Sequence, residues 1–272
     1  MTGQPGHRER MIVSRAALRM WGQTGDRPTV WIAAADPVYL EPRLDHLCLH
    51  ALRGAGIPSS DLQPLFDHLQ ETLADDQRYG FARLGSSGYL RAESPISTSD
   101  VPSYIVNGRE PGEFLPSGEH TAMHRNILSE IEMALHEHEV NLRRMEAGRQ
   151  PVNSLWLWGG GTAPEKTTRP QPPLFADEPL LAGYWESATA VGENWPGSFA
   201  ACAEKSLHGF VAVTPENDQR AATLRGYLEE LRGMLRAGRV SRLVLLFRDG
   251  LRADVRRSHN LKFWRRDNEL LQ

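Results

Sequence analysis

Three consecutive glycines at 159–161 end the apolar run VNSLWLW (152–158). Glycines after a strand can bring backbone N–H groups to a phosphate, or they can simply turn the chain. A P-loop needs a second glycine followed by lysine, but Glu165 stands at that place and Pro164 lacks an N–H. No GxGxxG pattern opens a helix here, so a nucleotide-binding loop is not predicted.

Polar residues on both sides of this run could serve a ligand. Asparagine amides offer hydrogen bonds, arginine offers a fork for an anion, and histidine is a donor whose charge depends on pH. We therefore predict a pocket at the C-terminal end of the strand, formed by His138, Asn141, Arg143, Arg144, Asn153, Gly159, Gly160 and Gly161. The competing interpretation is structural: Asn141 caps a helix end, Asn153 satisfies a turn, and both arginines are solvated.

Histidines are the other candidates for chemistry. His120, His124 and His138 share the apolar face of one helix, and two histidines at i and i+4 could bind zinc. However, HExxH is absent, and three histidines spread over five turns cannot share one ion. Satisfied, partly buried histidines are favoured, with a metal site and a ligand-facing role for His138 left as the alternatives. His46 and His50, in the alternating LDHLCLH, are interpreted as structural. Neither a metal, a cofactor nor a catalytic residue is assigned.

The C-terminal segment RRSHNLKFWRR (256–266) mixes basic and aromatic side chains, as anion-binding surfaces do. The favoured interpretation is a solvated hairpin face. A surface for an acidic ligand or protein is one alternative, and nucleic acid is a weaker one because no reader motif accompanies it. The basic residues of this patch are Arg256, Arg257, Lys262, Arg265 and Arg266.

Composition is that of an ordinary globular protein, with 272 residues, 40% hydrophobic and 24% charged. Cys48 and Cys202 have no CxxC spacing and are too few for a disulfide framework, which suits a reducing compartment. Arg15 and Arg19 interrupt the N-terminal apolar residues, and no run is long enough for a membrane span. We therefore expect a cytoplasmic protein.

These residues must be positioned by alternating strands and helices. The patterns predict a strand at 29–40, a helix starting at Ser59-Ser60-Asp61, and a helix over Thr121–Met145. The fold class is α+β: a mixed β-sheet flanked by helices, with a C-terminal helix and β-hairpin. Three segments are expected, a loosely attached arm (1–28), an α+β subdomain (29–115) and an α/β subdomain (116–272), unless the last two form one continuous domain.

The strand 152–158 is predicted to be covered on both faces. Trp156 and Trp158 have the same parity and should share one face, while Leu155 and Leu157 take the other.

The run HEHEVNLRRMEAGRQPVNSLWLWGGG (136–161) resembles the bacterial regulatory proteins called RpfE-type. WIAAADPVYL (31–40) resembles an earlier segment of that family, and RLVLLFRDG with KFWRR resembles its C-terminus. That family is in turn remotely similar, over about 31–161, to part of the archaeal-type cofactor-independent phosphoglycerate mutases. The resemblance implies an architecture that binds phosphate esters.

Departures from the mutase pattern are equally informative. A metal-dependent phosphomutase needs an Asp-Gly metal site, a Ser or Thr nucleophile and Asp/His pairs that hold two cations. The only Asp-Gly, at 249–250, is predicted to make a hairpin turn. Arg91 is shifted by one position from the place expected for the arginine that the mutases offer to the substrate. Glu139 replaces the proline of the family's His-Pro-Val-Asn. The resemblance thus implies a non-catalytic protein that binds a phosphorylated small molecule or a protein partner. The alternative is a phosphoglycerate-mutase-like enzyme, completed if necessary by a second chain.

Overall fold

The computed structural model describes residues 13–52, 57–75, 78–117, 121–206, 208–215, 221–247 and 250–258. The chain forms two compact units, unit 1 (Met1–Glu165) and unit 2 (Lys166–Gln272). Helices combine with antiparallel and parallel strands, which confirms the predicted α+β class.

Unit 1 is built around one antiparallel sheet. Its elements in chain order are α1 (Arg15–Thr24), β1 (Trp31–Pro42), β2 (Leu47–Ala51), α2 (Ser59–Leu73), β3 (Tyr79–Leu84), β4 (Ser87–Ala92), α3 (Ser103–Val106), α4 (Thr121–His136), α5 (Glu139–Glu146) and β5 (Ser154–Gly161). β4 and β2 follow one another along one edge of β1, β5 pairs with the other edge, and β3 lies beyond β4. The pairing of β1 with β5 joins the two segments expected on either side of residue 115.

The two faces of the sheet carry separate apolar clusters. On one face Leu155 and Leu157 join a core that α2 and α4 cover. On the other face Trp156 and Trp158, each 4% exposed, pack with Ala16 of α1. The predicted division of the strand between two covered faces is therefore confirmed.

The first helix is part of this core. Ser14 caps α1 by accepting a hydrogen bond from the N–H of Ala17, and Ala16, Ala17 and Trp21 are buried. For α1 this differs from the loosely attached arm expected over 1–28, because its small residues let it lie directly on β5 and β1; residues 1–12 of that arm lie outside the described residues.

The long helix predicted over Thr121–Met145 is interrupted, which corrects the expectation. α4 ends at His136, and α5 begins at Glu139 after an extended His138. The imidazole Nδ1 of His138 accepts a hydrogen bond of 3.2 Å from the N–H of Val140 and so caps the second helix. A side-chain cap competes with the continuous helix that the apolar spacing indicates.

The described residues of unit 2 form short strands, three helices and a hairpin. Its elements are β6 (Leu174–Phe175), α6 (Pro179–Ser187), β7 (Gly192–Glu193), α7 (Phe199–Lys205), β8 (Val211–Ala212), α8 (Ala221–Arg236), β9 (Arg242–Leu246) and β10 (Arg252–Arg256). β6 pairs in parallel with β7 and β8, whereas β9 and β10 form the predicted antiparallel hairpin.

Candidate functional site

The turn between α5 and β5 is held by Asn141, which is almost fully buried. Its Nδ2 donates 2.8 Å hydrogen bonds to the carbonyls of Leu135 and Val152, and its Oδ1 accepts one of 2.8 Å from the N–H of Val152. The amide thus ties the end of α4 to the residues that precede β5. These are the contacts of a structural residue.

Arg144 occupies the adjacent position in the same turn. Its guanidinium donates 2.8 Å hydrogen bonds to the carboxylate of Asp61 and to the carbonyl of Gln150, and its side chain is 2% exposed. Arg143 differs because its side chain is 63% exposed and its nearest carboxylate, that of Glu139, is 3.9 Å away. The two neighbouring arginines therefore have opposite environments.

Asn153 extends the pairing of β5 with β1 through its side chain. Its Oδ1 accepts a hydrogen bond of 2.7 Å from the N–H of Leu40, and its Nδ2 donates one of 2.9 Å to the carbonyl of the same residue.

His138 contacts a second histidine, since its ring centroid lies 4.9 Å from that of His68. Burial, followed by the proximity of His68, lowers the pKa of His138, which favours the neutral imidazole.

The glycines at the other end of β5 use their N–H groups internally. Gly159 donates 2.9 Å to the carbonyl of Ser99, and Gly160 donates 2.9 Å to Oγ1 of Thr98. A Cβ on Gly160 would lie 2.4 Å from the ring of Trp31, and one on Gly161 would lie 3.0 Å from Cβ of Ser14. These glycines let α1 and Trp31 approach the strand, and the N–H groups of Gly159 and Gly160 are taken by neighbouring oxygens.

The eight residues predicted to form one pocket fall into two groups. His138, Asn141, Arg143, Arg144 and Asn153 precede β5, whereas the glycines end it. Gly159 lies six positions after Asn153, which is about 20 Å along an extended strand. The single pocket predicted at the C-terminal end is therefore not assembled, because Asn153 lies at the opposite end. A ligand-binding role for either group stays a prediction.

A polar cleft of about 470 Å³ lies beside the glycine end of β5. Its lining residues are Ser97, Thr98, Ser99, Asp100, Val101, Glu113, Phe114, Leu115, Pro116 and Ser117. Hydroxyls and two carboxylates favour a cationic or hydroxyl-bearing ligand over a phosphate, because the carboxylates repel anions.

A buried charge network in unit 1, centred on Asp36, was not predicted from the sequence. Asp36 accepts hydrogen bonds from Arg19 (2.8 Å), Ser103 (2.8 Å) and Nε1 of Trp158 (2.7 Å). Nε of Arg19 donates 3.1 Å to the hydroxyl of Tyr89, and its guanidinium lies over the rings of Tyr89 and Trp158. The Asp36-Pro37 pair within an apolar strand was the available signal, because a carboxylate at such a position requires a partner.

The described part of the C-terminal patch lies on and just after β10. Arg256 and Arg257 are exposed, and Nε of Arg256 is 3.9 Å from the carboxylate of Asp254. Lys262, Arg265 and Arg266 lie outside the described residues. An anionic-partner role for the patch stays a prediction.

The favoured interpretation expected satisfied, partly buried histidines, and His124 departs from it. His124 is buried without a hydrogen-bond partner for either ring nitrogen, and His120 lies outside the described residues. Within the described residues one group of side chains is close enough to share a metal ion: Glu41, Cys48 and His50 on the β1–β2 hairpin. The sequence interpretation had assigned His50 a structural role only.

Within the described residues, we find no helix that has both the length and the apolar character to cross a lipid bilayer.

Comparison with known proteins confirms the remote similarity to archaeal-type phosphoglycerate mutases. Over 113 residues the chain is 29% identical to the 2,3-bisphosphoglycerate-independent phosphoglycerate mutase of Methanosarcina barkeri, covering 41% of this chain and 28% of that protein. Over 110 residues it is 39% identical to the 2,3-bisphosphoglycerate-independent phosphoglycerate mutase 2 of Methanothermobacter thermautotrophicus, covering 40% and 27%. The chain thus spans less than a third of the length of these two relatives.

A solved structure shares the fold more broadly. The PH0037 protein from Pyrococcus horikoshii superposes with a TM-score of 0.50 at 14% identity, covering 84% of this chain and 60% of that one. No family model matches the chain. Membership of the RpfE-type family therefore stays a prediction.

Proposed function

We propose that this chain is a cytoplasmic, bacterial regulatory protein of the RpfE type, which uses a phosphoglycerate-mutase-like scaffold to bind a phosphorylated small molecule or a protein partner. The observation that carries the proposal is the internal pairing of Asn141, Arg144 and Asn153. These polar groups lie in the segment that carries the family resemblance, and their contacts hold helices and strands together. The segment is thus suited to preserving a scaffold.

An anionic ligand then needs a cation that is exposed. Arg143 meets this condition, because its guanidinium is mostly exposed and its contact with Glu139 is long. An exposed guanidinium can form a forked pair with a phosphate or with a partner's carboxylate. Of the predicted ligand-binding residues, Arg143 is the one we expect to contact the ligand.

A thermal-shift screen of phosphorylated metabolites tests this proposal. A ligand present at a hundred times its Kd stabilises the folded protein by about 2.7 kcal/mol, which a melting curve detects. Arg143→Ala should reduce the ligand-induced shift and leave the melting temperature of the ligand-free protein unchanged. Arg257→Ala, which removes an exposed arginine of the predicted C-terminal patch in unit 2, tests the alternative binding surface.

Two outcomes would count against this assignment. A shift that survives Arg143→Ala and disappears in Arg257→Ala would place binding on the C-terminal patch. The binding role is refuted if two results are found together. No phosphorylated compound changes the melting temperature, and every protein partner that the immobilised parent retains is also retained by Arg143→Ala.

The second candidate is a phosphoglycerate-mutase-like enzyme acting on a phosphate ester. The observation that favours it is the sequence similarity to proteins that are themselves named phosphoglycerate mutases. Incubation with 3-phosphoglycerate and Mn²⁺ or Mg²⁺ separates the two candidates. A binding protein yields no 2-phosphoglycerate, whereas turnover that a chelator abolishes would establish the enzyme and overturn our proposal.

A further inference from the structure

We propose that Glu41, Cys48 and His50 form a binding site for a zinc-class divalent cation on the β1–β2 hairpin. One ligand atom from each residue, a carboxylate oxygen, the thiol sulfur and an imidazole nitrogen, lies within 4.8 Å of the other two. This site is separate from the glycine strand and from the phosphate-binding role proposed above.

Strand register brings the three side chains together. Glu41 is directly opposite Cys48, and His50 is opposite Tyr39 in the same antiparallel pair. Residues directly opposite one another, and residues two apart in one strand, point to the same face of a sheet. All three candidate ligands therefore project from one face, on a backbone that hydrogen bonds hold in place.

The contacts within the group favour a preformed site. Nε2 of His50 lies 2.7 Å from Oε2 of Glu41, and the ring of His50 stacks on Tyr39 with centroids 5.9 Å apart. Arg43 donates a 2.7 Å hydrogen bond to the same carboxylate. Tyr39 and Arg43 are not ligands themselves, and contacts from such neighbouring residues orient the groups that bind metals in proteins.

The distances require only small movements. Tetrahedral zinc, with bonds of about 2.0–2.3 Å, places neighbouring ligand atoms about 3.4–3.6 Å apart. Glu41 and His50 must separate slightly from their present contact, and the sulfur must approach them, by displacements on the order of 1 Å. The side chains of Glu41 and His50 are each about a quarter to a third exposed, and can make that adjustment.

The chemistry of the ligands selects the ion. Thiolate and imidazole favour zinc and related borderline metals, whereas Mg²⁺ and Ca²⁺ prefer oxygen ligands throughout. On binding, the Cys48 thiol releases its proton, and Nε2 of His50 coordinates after the hydrogen that it shares with Glu41 has moved to Nδ1 or to solvent. A thiolate and a carboxylate then balance the two positive charges of the ion. Three protein ligands leave a fourth position for water or an external group.

The test is titration of the untagged full chain with Co²⁺, followed by displacement with Zn²⁺. We expect one equivalent to bind, with the near-ultraviolet charge-transfer absorption that a cobalt–thiolate bond produces. Cys48→Ser should abolish this absorption, and Glu41→Gln and His50→Asn should each weaken binding by about tenfold or more.

Two control variants should bind the ion like the parent. Cys202→Ser removes the other cysteine of the chain, whose thiol pKa burial raises to about 11. His46→Ala removes a neighbouring histidine from the connection between β1 and β2.

An absorption that survives Cys48→Ser, or binding that His46→Ala weakens as strongly as His50→Asn, would overturn the proposal. Absence of the absorption from the folded parent protein would do the same. Circular dichroism checks that each variant is folded. If Cys48→Ser proves unfolded, Glu41→Gln and His50→Asn, which change partly exposed side chains, decide the question. The site is refuted if both of these variants bind the ion as tightly as the parent.

Discussion

Replacing Asp36 by Asn should destabilise unit 1 far more than any exposed charge substitution. The Asp36 carboxylate is buried and accepts hydrogen bonds from Arg19, Ser103 and Trp158. An asparagine side chain carries no charge and presents its NH₂ group to at least one of these donors. Arg19 would then be a buried cation without a counter-ion.

The magnitude follows from that unpaired charge. Removing one partner of a buried ion pair costs about 3–5 kcal/mol. Arg19 keeps its hydrogen bonds to the Tyr89 hydroxyl and to the carbonyl of Gly88, so we expect the lower half of this range. A typical domain is stable by about 5–15 kcal/mol, so the loss is a large fraction of the total.

Urea unfolding followed by tryptophan fluorescence measures this loss, because Trp158 contacts Asp36 directly. Asp254→Asn is the matched control: its carboxylate pairs with Arg242 on an exposed hairpin, where solvent screens the charges, so its loss should change stability little. Replacing both buried partners, in Arg19→Met with Asp36→Leu, should recover much of the stability. If Asp36→Asn costs no more than Asp254→Asn, the buried network does not stabilise unit 1 as argued.

Further substitutions test other parts of the molecule. Gly160→Ala should cost about 1–3 kcal/mol because its Cβ meets a tryptophan ring, whereas Gly226→Ala, in the open middle of α8, should gain about 0.5–1 kcal/mol; equal melting temperatures would contradict this. Arg144→Ala should cost about 3–5 kcal/mol in urea unfolding, and Arg143→Ala less than about 0.5 kcal/mol, so similar losses would contradict their different burial. Burial lowers the pKa of His124 below its value in the unfolded chain, so the unfolded state takes up a proton first and the stability should fall as the pH drops below about 6.5. His124→Leu should reduce this loss of stability between pH 7.5 and 5.5. A loss of the same size in the variant would refute the argument.

The sequence predicted elements whose side chains repeat regularly. Alternation of Trp156 and Trp158 with Leu155 and Leu157 identified a strand covered on both faces, and the structure confirms it. Leucine spacing likewise identified α2, which spans Ser59–Leu73. Such periodicity reflects which face is buried, and it does not depend on the rest of the chain.

Periodic patterns do not predict contacts between segments that are distant in the sequence. Arg19 was interpreted only as an interruption of an apolar stretch, although it pairs with Asp36 across the α1–β1 packing. The break at His138 was missed because one side-chain hydrogen bond, invisible to apolar spacing, ends the continuous helix. The glycines were assigned to a ligand, since nothing local indicated that Trp31 and α1 would approach them.

The central position of β1 constrains how the chain can fold during synthesis. β1 pairs on one edge with strands that follow it closely, but its other edge pairs with β5, so that Val38 meets Ser154. At 5–20 residues per second, roughly 6–23 s pass between synthesis of those two residues. Throughout that interval the nascent chain presents one edge of β1 unpaired, and unpaired strand edges invite association with other chains. Unit 1 can therefore close only after β5 has left the ribosome, which makes it a late-folding unit.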